Sequence, residues 1–370
     1  MRLPGLIDPH VHVRDLNQSH KEDWTTATAA ALAGGVTTIL AMPNTQPPLV
    51  DAASLTLYEK AAKAKAVCDY GIFLGAGLHN AAAIAVEARR GIGLKLYLDA
   101  TFGDLKLPGL DALVAHFDAW PKDRPIVAHA EEQQTAAVIL AAQLAGRGVH
   151  ICHVARRAEI ELIRRVRERG LNVTCEVCPH HLFLIESARP ALIESARPAR
   201  QFETLARGAW AWSGAYAEVR PRLQTQADVD ALWANLDVID CFATDHAPHT
   251  MVEKESQTPP PGFPGLETAL PLWLTAAHAG LLSLDDIIAR MHTGPRRIFN
   301  LPEQPETLVE VDLDANWAPV GARQQTRAAW SPFEGWALRG RVTGVTLRGC
   351  RVYDGENILV QPGYGHNVVG

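Results

Sequence analysis

Leu3-Pro-Gly-Leu-Ile-Asp-Pro-His10-Val-His12 opens the chain with a short apolar run that closes on two histidines one residue apart. Side chains at i and i+2 of a strand share a face, so such a strand end can offer two imidazoles to one divalent cation. In a chain with 15 histidines the pair alone decides nothing. Its meaning comes from recurrence, because apolar runs ending in a histidine or a carboxylate return along the sequence.

Runs at 5–13, 36–42, 70–77, 93–98, 125–130, 149–154, 172–177 and 238–244 read as eight strands, rich in β-branched and apolar residues. Helical patterns at 21–33, 52–65, 132–145 and 158–169 lie between them. Eight such alternations over about 290 residues fit an α/β fold of the (β/α)8 TIM-barrel type better than an open doubly wound sheet. The expected division is a barrel over residues 1–300 and a small β appendage over 301–370, formed mainly by the C-terminal segment. There, alternating stretches at 308–313 and 340–348 are separated by Gly, Pro and polar residues. A barrel that starts so near Met1 leaves no N-terminal strand for the appendage, the pattern expected of an excised domain or an incomplete gene model.

Composition narrows the function classes. The chain has 370 residues, 47% hydrophobic and 21% charged, enough for one large core. Net charge is −6 and no Lys/Arg cluster is interleaved with aromatics, which argues against a nucleic-acid partner. The six cysteines are scattered, as expected of buried thiols in a reducing, cytoplasmic compartment. Cys175-Glu-Val-Cys178 has no second pair at finger spacing and reads as a strand end rather than a zinc ribbon. The uncharged stretch from Trp24 to Val50 is broken by Gly34-Gly35, Pro43-Asn44 and Pro47-Pro48, so it is not a membrane span, and no signal peptide precedes it. Ile185-Glu-Ser-Ala-Arg-Pro-Ala-Leu192 is followed by the near copy 193–200, a local duplication that lengthens the connection before the last strand to about 60 residues.

In a barrel the chemistry gathers where strands end and βα loops begin. His10 and His12 close the first strand, Lys95 lies in the fourth, His129 ends the fifth, His153 the sixth and Asp245 the eighth. Imidazole and carboxylate suit Zn2+, and two ions about 3.5–4 Å apart can activate one water between them. His10, His12 and Asp245 would hold one ion, and His129 and His153 the other. Lys95 is the odd member, since an ammonium facing two dications is repelled. A neutral amine there can add CO2 and become a carbamate, an oxygen-donor bridge. Arg14 lies two residues beyond His12, on the same face, with a fork suited to a carboxylate.

Taken together, His10-x-His12-x-Arg14, Met42-Pro-Asn-Thr45, Gly93-Leu-Lys95, Ala128-His-Ala-Glu131, His150-Ile-Cys-His-Val-Ala155, Pro179-His-His-Leu182 and Thr244-Asp-His-Ala-Pro-His249 resemble the dihydroorotases of the amidohydrolase superfamily. The resemblance is strongest to the dihydroorotase domain of the animal multifunctional pyrimidine-synthesis protein, where it is fused to carbamoyl-phosphate synthetase and aspartate transcarbamoylase. It runs through nearly the whole chain, including 259–267 and Asn300-Leu-Pro302.

The resemblance implies a binuclear zinc site of His10, His12, carboxylated Lys95, His129, His153 and Asp245, with Asp245 also shuttling the proton. It implies an additional metal at Cys152 and Glu176, the competing role for both being to line the site behind the metal ligands. It groups Arg14, Asn44, Arg220 and His249 around a substrate carboxylate, and gives Thr101 and Phe102 the tip of a mobile lid. The implied reaction is the reversible cyclisation of N-carbamoyl-L-aspartate to L-dihydroorotate in pyrimidine biosynthesis, by a homodimer fused to or associated with other enzymes of that pathway. Two rivals remain: another cyclic amidase (hydantoinase, dihydropyrimidinase or allantoinase), and a metal-free scaffold that keeps the barrel without catalysis.

Overall fold

In the computed structural model, which describes residues 1–186, 189–190 and 214–369, the opening run is split at Gly5. Arg2–Pro4 forms β1 and Leu6–Val11 forms β2. A Cβ on Gly5 would lie 2.5 Å from Thr307 Cγ2 and 2.6 Å from Thr37 Oγ1, so only glycine lets the chain pass here from one sheet to the other. This corrects the expectation that the start of the chain supplies the appendage with no strand.

β2 is joined by β3 (Val36–Ala41), β4 (Asp69–Gly75), β5 (Gly93–Tyr97), β6 (Ile126–His129), β7 (Val149–Ile151) and β8 (Val173–Val177). After a short pair, β9 (Leu184–Ile185) with β10 (Arg189–Pro190), the sheet is completed by β11 (Cys241–Phe242). All neighbours in this eight-stranded sheet are parallel. Its two outer strands meet: His12 N donates to His246 O at 2.7 Å, and the Asp8 carboxylate accepts from Thr244 N (3.2 Å) and Thr244 Oγ1 (2.5 Å). The result is a closed barrel, not the open doubly wound alternative. β2 to β7 are buried along their whole length, which explains why they read as continuous apolar runs rather than alternating ones.

Two predicted elements are shorter than the sequence suggested. The last strand was expected over 238–244, but Leu236–Val238 is a 3-10 turn and Asp245 has φ +46°, so only Cys241–Phe242 stays in the ladder. The first helix begins at Trp24 instead of Lys21 because Asp23 accepts from Thr26 N and the Thr26 hydroxyl accepts from Asp23 N, a capping box. Lys21 is thereby freed to turn towards the barrel mouth. The helix Ala52–Lys65 is as predicted, and Gln133–Leu144 and Arg157–Glu168 differ from expectation by a residue at each end. Most of the duplicated stretch lies outside the described residues.

β1, β12 (Leu308–Trp317), β13 (Leu338–Leu347) and β14 (Cys350–Tyr353) form the antiparallel appendage, in that order. It packs on the barrel helix Leu266–His278, where Arg339 N donates to Thr275 Oγ1. The β12–β13 connection returns to the barrel: Glu267 accepts from Gln325 N and Thr326 N, Glu22 accepts from Arg327 N, and Trp330 Nε1 donates to His249 O at 2.8 Å. At the opposite end of the barrel the C-terminal tail pairs with β4 through Tyr70 N to His366 O and Val368 N to Tyr70 O. All six cysteines are unpaired, and among the described residues no helix is long and apolar enough to cross a membrane.

Candidate active site

The strand ends bring the sequence-predicted metal ligands together at one mouth of the barrel. His10 Nε2 and His12 Nε2 lie 3.3 and 3.0 Å from Asp245 Oδ1. Lys95 is fully buried, with its Nζ 2.9 Å from Cys152 Sγ, and His129 Nδ1 is 2.9 Å from His153 Nε2. The His10 ring centroid is 5.1 Å from that of His153 and 5.3 Å from that of His12, which joins the two halves of the set. Arg14, His153 and Asp245 all have positive φ (+64°, +34° and +46°), a left-handed backbone that costs side-chain-bearing residues of order 1–3 kcal/mol each. That strain is held where each strand exits and aims its side chain into the mouth.

The electrostatics favour a bound cation. Burial lowers His129 and, helped by His129 and His10, lowers His153 well below the ordinary imidazole range. Burial also pushes His12 down to about 4, against the pull of Asp245. These rings are therefore neutral ligands at pH 7. Burial would raise Asp245, but His10, His12 and His180 outweigh it and hold the carboxyl below its usual range. His10 Nε2, His129 Nε2 and His153 Nδ1 are buried without a hydrogen-bond partner. An orphaned buried nitrogen costs about 1–3 kcal/mol, a cost that coordination would remove. The residues thus fit a pair of divalent ions.

Glu176 sits directly behind this set. Its Oε1 is 2.5 Å from His10 Nδ1 and its Oε2 is 3.1 Å from His150 Nε2. His10, Cys152 and Glu176 each offer a donor atom, all within 4.8 Å of one another. Asp8, pushed up to about 7 by burial despite its bonds to Thr244 and His10 N, fastens the first strand to the last beneath the site.

The cavity above the ligands is lined by Arg14, Asn44, Thr101, Phe102 and Arg220, all expected from sequence. Asn44 Oδ1 lies 2.6 Å from His12 Nδ1, and its Nδ2 donates to Phe102 O at 3.0 Å, tying the loop tip to a metal-ligand candidate. The Arg14 guanidinium lies 4.9 Å from the Phe102 ring centroid, and its Nη1 is buried without a partner. Arg220 Nη1 donates to Glu218 Oε2 at 2.9 Å. His249 stands one step back from the cavity wall. Its ring meets Phe102 edge-on at 4.9 Å, its Nε2 is 3.1 Å from Arg14 Nη2, and its Nδ1 is 3.1 Å from Lys21 Nζ.

Sequence reasoning missed four contributors. Tyr97 lines the cavity and was legible, being two residues beyond Lys95 on the same strand face. Pro261 and Gly262 also line it, and Gly262, at φ +144°, could not carry a Cβ, which would meet Ala247 O at 2.4 Å. Lys21 lies 4.4 Å from the Phe102 ring centroid and was hidden by the misplaced helix start.

The matches to known proteins follow the same geometry. Residues 1–304 match the model of the amidohydrolase family. "Multifunctional protein CAD" of Squalus acanthias is 50% identical over 368 residues, and "Multifunctional protein pyr1-3" of Dictyostelium discoideum is 44% identical over 369. Each match takes in all of this chain but only 16% of the relative, so the chain spans about a sixth of those proteins. The "Dihydroorotase" of Pyrococcus furiosus is 33% identical over 97% of this chain and 83% of its own length. An L-hydantoinase (dihydropyrimidinase) structure from Arthrobacter aurescens superimposes with TM-score 0.88 at 23% identity, covering all of this chain and 88% of that one, a likeness of fold. The inactive dihydroorotase-like domain of a Chaetomium thermophilum CAD-like multifunctional protein has TM-score 0.79 at 30% identity, covering 99% and 98%. By family model, by identity and by the barrel itself, this chain belongs to the amidohydrolase family and, within it, groups with the dihydroorotases.

Proposed function

We propose that the chain catalyses the reversible cyclisation of N-carbamoyl-L-aspartate to L-dihydroorotate with loss of water. One observation carries the reading: His10, His12, Lys95, His129, His153 and Asp245 converge beneath a cavity whose wall holds the buried, partly unpartnered Arg14 guanidinium. The first six would hold two zinc ions, with Lys95 contributing as its carbamate, and Cys152 and Glu176 would help His10 to hold a third. When bound, such ions supply Lewis acidity and a water acidic enough to attack at neutral pH.

The protein's own groups do the rest. In ring opening, Asp245 accepts the proton of the attacking water and returns it to the amide nitrogen as the carbon–nitrogen bond breaks. In ring closure it takes a proton from the carbamoyl nitrogen and gives it to the departing oxygen. Arg14, Asn44 and Arg220 orient the α-carboxylate, His249 steadies Arg14, and Thr101 with Phe102 covers the substrate and excludes water. The active form is proposed to be a homodimer; that it is one part of a larger pyrimidine-synthesis polypeptide is supported by the small share of the multifunctional relatives that this chain covers. Six unpaired thiols suit a cytoplasmic setting.

The test is a zinc measurement on purified protein combined with hydrolysis assays on dihydroorotate, hydantoin and allantoin. Two or more zinc ions per chain with dihydroorotate preferred supports the proposal. Faster turnover of hydantoin or allantoin would favour another cyclic amidase, and absence of both zinc and turnover would favour the metal-free scaffold.

A further inference from the structure

The proposed reaction makes no use of Cys178, His180 and His181, which follow β8 in the run Cys178-Pro-His-His181. All three are buried, at 0%, 3% and 2% exposure, and each offers a donor atom within 4.8 Å of the other two. Tetrahedral coordination at bond lengths of about 2.0–2.3 Å puts two ligands of one zinc ion about 3.3–3.6 Å apart, so side-chain adjustments of up to about 1.5 Å close the set.

The imidazoles are prepared as ligands. His181 Nε2 lies 3.0 Å from Pro221 O and can only donate to it, which fixes the tautomer and leaves Nδ1 as a bare lone pair. That Nδ1 is buried without a partner, and so is His180 Nε2. A histidine whose second nitrogen donates to a backbone carbonyl is the usual outer-shell arrangement around a coordinated metal. The two rings lie 4.3 Å apart at 58°, too tilted to stack face to face. Cys175, the other half of the CxxC, is committed elsewhere, with its Sγ donating to Val238 O at 3.5 Å, so a disulfide does not compete for Cys178.

We propose that Cys178, His180 and His181 form a zinc site of their own, distinct from the ligand set of His10, His12, Lys95, His129, His153 and Asp245 and from the His10, Cys152 and Glu176 group. One thiolate and two imidazoles suit Zn2+ and leave a fourth position for water. On binding, the Cys178 thiol loses its proton to solvent, sulfur and the two ring nitrogens each donate a lone pair, and nothing is oxidised or reduced.

The test uses the full chain loaded with Co2+ in place of zinc, in wild type and in Cys178→Ala, Cys152→Ala and the double variant. A thiolate-to-cobalt absorption that survives Cys152→Ala, falls in Cys178→Ala and is absent from the double variant, together with one fewer metal per chain in Cys178→Ala, supports the site. An unchanged band and metal count in Cys178→Ala overturns it. Should Cys178→Ala not fold, anomalous diffraction at the zinc edge on wild-type crystals decides: a peak bonded to Cys178 Sγ supports the site, and its absence at saturating zinc overturns it. Dihydroorotate turnover is measured in parallel on wild type, so a failure of this site is distinguished from a failure of the proposed reaction.

Discussion

Arg14 carries the sharpest quantitative expectation. Its Nε donates to Pro248 O at 3.3 Å and its Nη2 meets His249, while Nη1 is buried and unpartnered beside the cavity. A substrate carboxylate docking there gains a charge-assisted fork, and each hydrogen bond to a charged group is worth about 1.5–3 kcal/mol. Arg14→Met should therefore cost about 3–5 kcal/mol in kcat/KM, roughly 140- to 3,700-fold at about 1.4 kcal/mol per decade. Arg14→Lys keeps the charge and one bond, so a loss of roughly ten- to a hundredfold is expected. The guanidinium grips the carboxylate equally before and during ring opening, so most of the loss should fall on KM. Steady-state assays on dihydroorotate, with circular dichroism and zinc content confirming an intact protein, measure it. Hydantoin, which has no carboxylate, is the control. A change in kcat/KM for dihydroorotate under about threefold, or an equal loss with hydantoin, would refute the carboxylate clamp.

Further outcomes follow from other parts of the structure. Asp245→Asn should lower kcat by about 10^3-fold or more while zinc content stays near wild type, and substantial turnover in that variant rules out the shuttle. Chelation should abolish activity and added Zn2+ should restore it; activity persisting after complete metal removal excludes the metal chemistry. Gly262→Ala forces a Cβ against Ala247 O and should lower Tm by several degrees and raise KM, so an unchanged Tm would contradict the close approach. Glu267 is pushed up from 4.5 to about 7 by burial, so the folded state holds this proton more firmly than the unfolded chain does. Its contribution is full below pH 4.5 and is lost as pH rises through 7. Wild type should lose up to about 3 kcal/mol relative to Glu267→Gln across that window, less as water screens the charge, and thermal melts showing no pH-dependent difference would refute it.

The sequence exposes the barrel because the property it displays, an apolar run of strand length followed by an amphipathic stretch, is local. All eight strands are found that way, and every metal-ligand candidate of the proposed pair except Lys95 sits where a run ends. What escapes is set by contacts distant in sequence. The Asp8–Thr244 bonds that close the barrel join residues 236 positions apart, and no periodicity announces them. The split at Gly5 depends on Thr307, so one apolar run looked like one strand when it serves two sheets. The helix start was misjudged because Lys21 fits an amphipathic pattern, while the side chain that sets the boundary is Asp23. The resemblance groups His249 with Arg14, and its Nε2 lies 3.1 Å from Arg14 Nη2, but its position one step back from the wall depends on Lys21 and Phe102.

The indole of Trp330 has a consequence beyond packing. It comes from the excursion between the two longest strands of the antiparallel sheet, yet its N–H grips the carbonyl of His249, and its ring stands edge-on to Tyr216 and Phe263. A truncation ending near residue 304, where the family match stops, would retain every proposed metal ligand and still leave the carboxylate-recognising rim without its brace. Such a fragment should load zinc but grip its substrate poorly, so any transplant of this catalyst into another polypeptide has to carry both sheets as one inseparable piece.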